Sequence, residues 1–167
     1  GHGYAVAASA THYSFAPPTR TFDRLDANST ADFNATLLRH NITGRVVDAN
    51  GNGIGGVEIN LSGAQTASVL TDAGGNYAFA SLPAGGTYNV SAFHTWYAFT
   101  PTIQSFFDLD RDRTANFNGT LLNFRITGQV AEGGAGVAGV TVSLSGSDKI
   151  TPTTRDWPDV TVFAQTL

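Results

Sequence analysis

The chain has 167 residues, of which only 13% are charged, with a net charge of −4 and no cysteine. That balance offers no basic footprint for nucleic acid and no disulfide framework, and no apolar run is long enough to span a membrane as a helix. Low charge with abundant Gly, Ser, Thr and Asn suits a secreted surface protein better than a cytosolic enzyme, and a chain that opens on Gly1 is expected to be a processed or excised product.

From its first residues the chain repeats itself. Residues 4–38 match residues 88–122 at a constant offset of 84: Tyr4 falls on Tyr88, Val6 on Val90, Tyr13 on Tyr97, Phe15 on Phe99, Pro17 on Pro101, Phe22 on Phe106 and Phe33 on Phe117. Ile42-Thr43-Gly44 then aligns with Ile126-Thr127-Gly128. After a one-residue deletion, Val57, Ile59, Leu61 and Gly63 meet Val140, Val142, Leu144 and Gly146. A long period with turn signals inside it means tandem copies of one small domain. The expected organisation is residues 1–38 as the C-terminal half of a copy, 39–122 as a complete copy, and 123–167 as the N-terminal half of another.

Within the complete copy, Val57, Ile59 and Leu61 alternate with Glu58 and Asn60, and Tyr77 and Phe79 with Asn76 and Ala78. Further on, Tyr88, Val90 and Ala92 alternate with Asn89 and Ser91, and Ala115, Phe117 and Gly119 with Thr114, Asn116 and Asn118. This period of two marks strands with one face on a core and one in water. Turn clusters separate them: Asn50-Gly51-Asn52-Gly53, Ala73-Gly74-Gly75-Asn76 and Pro83-Ala84-Gly85-Gly86. The pattern predicts an all-β chain of tandem seven-stranded antiparallel β-sandwich repeats, immunoglobulin-like or transthyretin-like, without significant helix. Tyr88, Val90, Tyr97, Phe99 and Phe117 are its expected core, faced by Val57, Ile59, Leu61, Tyr77 and Phe79.

Several of these positions carry a family resemblance. Gly44 and Val46, the Gly56-Val57 step with Leu61-Ser62-Gly63, and the hairpin Asp72-x-x-Gly75-x-Tyr77-x-Phe79 are three of its marks. Leu82-Pro83-x-Gly85 and Tyr97-x-Phe99-x-Pro101 complete the set. Together they resemble the carboxypeptidase regulatory-like domains, which share a transthyretin-like or pilin-B-type sandwich and occur in tandem in large bacterial and archaeal surface proteins. The resemblance implies a spacer or adhesion stalk rather than an enzyme. It weakens at Asp156-Trp157-Pro158-Asp159, which stands where Asp72-Ala73-Gly74-Gly75 is expected. A related fold family forms Lys–Asn isopeptide crosslinks. Residues 39–122 contain no lysine, which leaves Lys149 in the split copy as the one candidate.

Candidate chemistry is sparse. Asp48-Ala49-Asn50-Gly51-Asn52-Gly53 fits the first six positions of an EF-hand loop, but the twelfth is Ile59 and no helices flank it, so it reads as a hairpin turn. Asp108, Asp110 and Asp112 form a D-x-D-x-D run, a weak calcium candidate that Arg111 and Arg113 interrupt and neutralise. His12 aligns with Trp96 and His94 with Ala10, so neither recurs as a general base or ligand would. No GxSxG, HExxH, CxxC or phosphate-binding glycine loop is present. Phe93, Trp96 and Phe107 are candidates for a sugar platform, against edge or inter-domain packing. Six of the eleven asparagines lie in N-x-S/T sequons: Asn28, Asn34, Asn41, Asn60, Asn89 and Asn118. These are candidate N-glycosylation sites.

The functional expectation is a non-catalytic, cofactor-free structural subunit of an extracellular filament or cell-surface stalk. Its partners are other copies of itself, joined head to tail as the C-terminal half of one subunit is completed by the N-terminal half of the next, with glycans as further candidate partners and no membrane span. The alternatives are a carbohydrate-binding or adhesion module and a non-catalytic accessory domain of a secreted protein.

Overall fold

A computed structural model of the chain describes residues 3–143 and 159–164. They fall into two compact units, one built on residues up to 95 together with 99–120, the other on 96–98 together with the described residues from 121 onward. Strands and turns make up both, with no helix among the described residues.

The first unit opens with four short strands: β1 (Tyr4–Ala7), β2 (Tyr13–Ala16), β3 (Thr19–Phe22) and β4 (Asn34–Leu37). β1 pairs antiparallel with β3, Tyr4 opposite Phe22, and β2 with β4, Tyr13 opposite Leu37. Next come β5 (Arg39–Val47), β6 (Glu58–Gly63), β7 (Ala67–Leu70), β8 (Asn76–Pro83), β9 (Tyr88–Phe93), β10 (Tyr97–Thr100), β11 (Ile103–Phe106), β12 (Arg113–Thr114) and β13 (Phe117–Leu121). These form two sheets: β10-β13-β5-β12, with β8 on the other side of β5, and β11-β9-β6-β7.

Alternating apolar residues from both sheets meet between them. Ile42, Val46, Val57, Ile59, Tyr88, Val90, Leu109, Ala115 and Phe117 are wholly buried, with Leu61, Tyr77, Phe79, Leu82 and Phe99 close behind. The core expected from the sequence is therefore present, except that Tyr97 is only half-buried. It lies on β10, the outermost strand of its sheet among the described residues. The antiparallel expectation also needs correction at one seam. β5 runs parallel to both β12 and β13, Ile42 beside Arg113 and Val46 beside Phe117. The first and last strands of the sandwich are joined through the opposite sheet, and that long connection permits a parallel pair.

Polar groups that enter the core are paired. Thr71 Oγ1 donates to the Ile54 carbonyl at 2.8 Å and accepts the Val57 N–H at 2.9 Å. The Tyr77 hydroxyl donates to the Ala115 carbonyl, and its ring meets Phe79 edge-on at 5.9 Å. This contact requires glycine at 44, where a Cβ would sit 1.8 Å from the Ala115 oxygen and 2.7 Å from the Tyr77 hydroxyl. A family mark read from the sequence thus has a steric cause.

In the second unit, β14 (Phe124–Gln129) pairs antiparallel with β17 (Asp159–Ala164), as β5 does with β8. β15 (Ala131–Glu132) and β16 (Ala135–Gly136) form a hairpin turned by Gly133 and Gly134, both at positive φ. Lys149 and residues 156–158 lie outside the described residues.

Candidate functional site

The loop between β11 and β12 is bonded to its surroundings at several points. Leu109 anchors it, fully buried, and exchanges backbone bonds with β8's exit turn: Gly85 N–H to Leu109 O at 3.0 Å and Leu109 N–H to Gly86 O at 3.0 Å. With the leucine fixed, the flanking aspartates point outward to separate partners. Asp108 Oδ1 lies 2.7 Å from His12 Nε2. Asp110 accepts from Arg113 at 2.9 Å and lies 3.8 Å from Arg111. Asp112 accepts the Asn41 N–H at 2.7 Å and lies 3.8 Å from His40 Nδ1.

The weak calcium candidate Asp108, Asp110 and Asp112 is therefore not brought together. Carboxylates two apart share a face in a strand, but this segment is a loop anchored by Leu109. Among the described residues no group of three acidic or histidine side chains is placed to hold a metal. The Asp48 loop is likewise a closed turn. Its carboxylate accepts the backbone N–H of Asn50 and Asn52 at 2.9 Å each, and the Asn52 amide at 3.1 Å. The Asn52 side chain, then the backbone N–H groups, hold the Asp48 carboxyl below the usual aspartate range. Asp72 is held down in the same way by the backbone and amide of Asn76.

The loop also marks where residues 1–38 meet the central sandwich. The Leu38 N–H donates to His12 O at 2.8 Å, and the Ala84 N–H to Leu38 O at 2.9 Å. Gly85, at φ +79, faces the His12 ring so closely that a Cβ would meet it at 3.1 Å. His12, Ser81 and Asp108 are the non-glycine residues at positive φ among those described. All three lie at this junction, Ser81 being held by Asn41 Oδ1 and Arg39 Nη1. Such backbone persists where surroundings fix it. Nothing local in the sequence marks His12, whose equivalent in the next copy is Trp96. The available signal was the paired change, since Asp108, like His12, is replaced at its repeat equivalent (Arg24).

The sequons divide by geometry. Asn28, Asn34 and Asn118 are exposed. Asn60 and Asn89 are half-buried on the outward rows of the four-stranded sheet, and Asn89 Oδ1 accepts the Ser105 hydroxyl at 2.6 Å. Asn41 is built into the β-bulge of β5, its amide turned to Asp112 and its Oδ1 taken by the Ser81 N–H. The aromatic candidates lie on separate elements. Phe93 ends β9 in a row with Glu58 and Leu70, Phe107 follows the far end of β11, and Trp96 belongs to the turn into β10. No helix among the described residues is long and apolar enough to cross a membrane.

Residues 41–121 match the carboxypeptidase regulatory-like domain and belong to that family. A chitinase, ChiA of Flavobacterium johnsoniae, is 31% identical over 149 residues, covering 87% of this chain and 9% of that protein. The chain thus spans less than a tenth of that relative. The Bacillus anthracis TIE protein superposes with a TM-score of 0.65 at 11% identity, covering 88% of this chain and 29% of that one. A streptococcal ancillary pilin gives 0.48 at 15% identity, covering 88% and 54%.

Proposed function

We propose that this chain is a structural β-sandwich module of an extracellular or cell-surface assembly. In this reading residues 1–38 are the later strands of one copy, 39–122 a whole copy, and 123–167 the earlier strands of another. Copies of the chain join head to tail, the split sandwich of one being completed by the next.

The observation that carries this reading is the unequal burial of equivalent residues. Tyr88 and Val90 are 0% exposed in the central copy, while Tyr4 and Val6, their equivalents, are 50% and 42% exposed. At the other half, Ile126 is 60% exposed where Ile42 is 0%. Covering each such side chain is worth roughly 1.5–3 kcal/mol, and β1 has a flank that β9 fills with β6. The residues equivalent to β6 lie at 141–146 in the same sequence. A contact that joins unlike surfaces and does not close on itself propagates as a fibre. Electron microscopy and size-exclusion chromatography of the 167-residue chain across a concentration series test the proposal. Linear particles lengthening with concentration are expected, and a monomer at every concentration would refute it.

A second reading, an accessory module of a larger secreted hydrolase, is favoured by the similarity to the chitinase. Retention of the monomeric chain on insoluble polysaccharide, lost on Phe93→Ala, would support it over the filament. The exposed sequons Asn28, Asn34 and Asn118 add a glycoprotein proposal, which the intact mass of native material tests.

A further inference from the structure

We infer that Trp96 of one copy of this chain seats against the guanidinium of Arg24 of the next, forming the aromatic counterpart of the His12–Asp108 contact. The inference rests on the head-to-tail completion proposed above and names the side chains that make its joint.

The template is the junction already present in the molecule. His12 Nε2 and Asp108 Oδ1 are 2.7 Å apart, and each residue sits at positive φ, 67° and 51°, so two turn tips are aimed at one another. Moving by one repeat turns His12 into Trp96 and Asp108 into Arg24. Both members change, and each resulting pair is complementary. An imidazole faces a carboxylate at one joint, and an indole faces a guanidinium at the other. Exchanging only one member would set a cationic imidazole against a guanidinium, or the negative face of an indole against a carboxylate.

The hydrogen bond and the strand register beside the first pair are repeated beside the second, while the positive φ of His12 and Asp108 is not. The Leu38 N–H bonds to His12 O at 2.8 Å, and the Leu122 N–H to Trp96 O at the same distance. Arg24 follows β3 as Asp108 follows β11, and those strands pair in one register: Tyr4 opposite Phe22, Tyr88 opposite Phe106. The side chains are accessible for the role. Trp96 is 47% exposed, and the Arg24 side chain is 69% exposed with its Nη2 on Asp26 at 3.0 Å. A planar guanidinium can donate such a bond from its edge while stacking its face on an aromatic ring.

Assembly of the full chain, followed by light scattering and electron microscopy against concentration, tests the contact. Trp96→Ala and Arg24→Ala are each expected to raise the concentration at which fibres appear by about two- to five-fold. The double variant Trp96→His/Arg24→Asp rebuilds the pairing of the other joint. It is expected to assemble better near about pH 5.5, where an ordinary imidazole is protonated, than near about pH 8; Trp96→His alone is not. Fibres whose threshold ignores both alanine variants would overturn the contact and leave head-to-tail completion standing. Absence of fibres from the unaltered chain would overturn the completion itself, and this contact with it.

Discussion

Residues 4–22 and residues 88–106 hold the same strand pair in the same register, yet one is solvent-facing where the other is core. Tyr4 opposes Phe22 as Tyr88 opposes Phe106, and Ala7 opposes Thr19 as Ser91 opposes Ile103. What differs is the layer on top. In the central copy β6 flanks β9 within one sheet, and the facing sheet, which carries Ile42, Val46, Tyr77, Phe79 and Phe117, covers Tyr88 and Val90. Among the described residues β1 has β3 as its partner on one side and no second strand. Leu25 and Leu109 repeat the contrast: Leu109 is fully buried under Gly85 and Gly86, whereas Leu25 is 48% exposed. Local pattern thus decides strand and register, while burial is decided by a layer contributed from elsewhere in the sequence.

The contrast is broken most severely by truncating one core aromatic at both places. Phe117→Ala is expected to cost on the order of 3–5 kcal/mol, because its side chain is wholly buried between the sheets. Phe33→Ala, at the half-buried equivalent, is expected to cost well under half of that in dilute chain. Chemical denaturation reads both values. Equal costs would mean that the two regions are packed alike and would dissolve the comparison.

A smaller effect belongs to the central copy alone. Burial raises the pKa of the Tyr77 hydroxyl above the ordinary tyrosine value. The folded state therefore keeps its proton at pH values where the unfolded chain has lost it. The sign follows from that: this contribution to stability is complete below the ordinary tyrosine range and fades as pH rises through the raised value. Tyr77→Phe forfeits the hydroxyl's bond to Ala115, worth about 1 kcal/mol, but is expected to lose less stability between about pH 9 and pH 11 than the unaltered chain. Parallel pH curves for the two proteins would show that Tyr77 titrates freely.

The smallest expected effect is that of a chelator. With Asp108, Asp110 and Asp112 turned to His12, Arg113 and Asn41, EDTA is expected to leave the melting temperature essentially unmoved. A fall of many degrees would send attention back to that loop.

Much of the fold was legible because a half-buried strand writes its period of two directly into the sequence, as in Val57, Ile59 and Leu61. The turns were legible through the clusters Asn50-Gly51-Asn52-Gly53 and Ala73-Gly74-Gly75-Asn76, which the forward bonds of Asp48 and Asp72 to the backbone close. The parallel seam of β5 with β12 and β13 was not, since alternation is the same for either direction of pairing. Tyr97 alternates like a core residue, but nothing local records that its strand lies at an edge. The placement of the aspartate run was not legible for a related reason: carboxylates two apart share a face only if the segment is a strand, and here it is a loop anchored by Leu109. The His12–Asp108 contact joins residues far apart in the chain, and its signal lay in how two distant positions change together between copies.

Hydrogen exchange of β1 amides as a function of chain concentration tests the central claim most directly. If a second copy supplies the missing layer, amides of Tyr4–Ala7 gain protection as concentration rises, toward that of Tyr88–Phe93, which is already flanked on both sides by β6 and β11. Protection of Tyr4–Ala7 that stays low and constant while fibres form would contradict completion of the split sandwich. Protection equal to that of β9 in dilute monomer would contradict the contrast between the two regions.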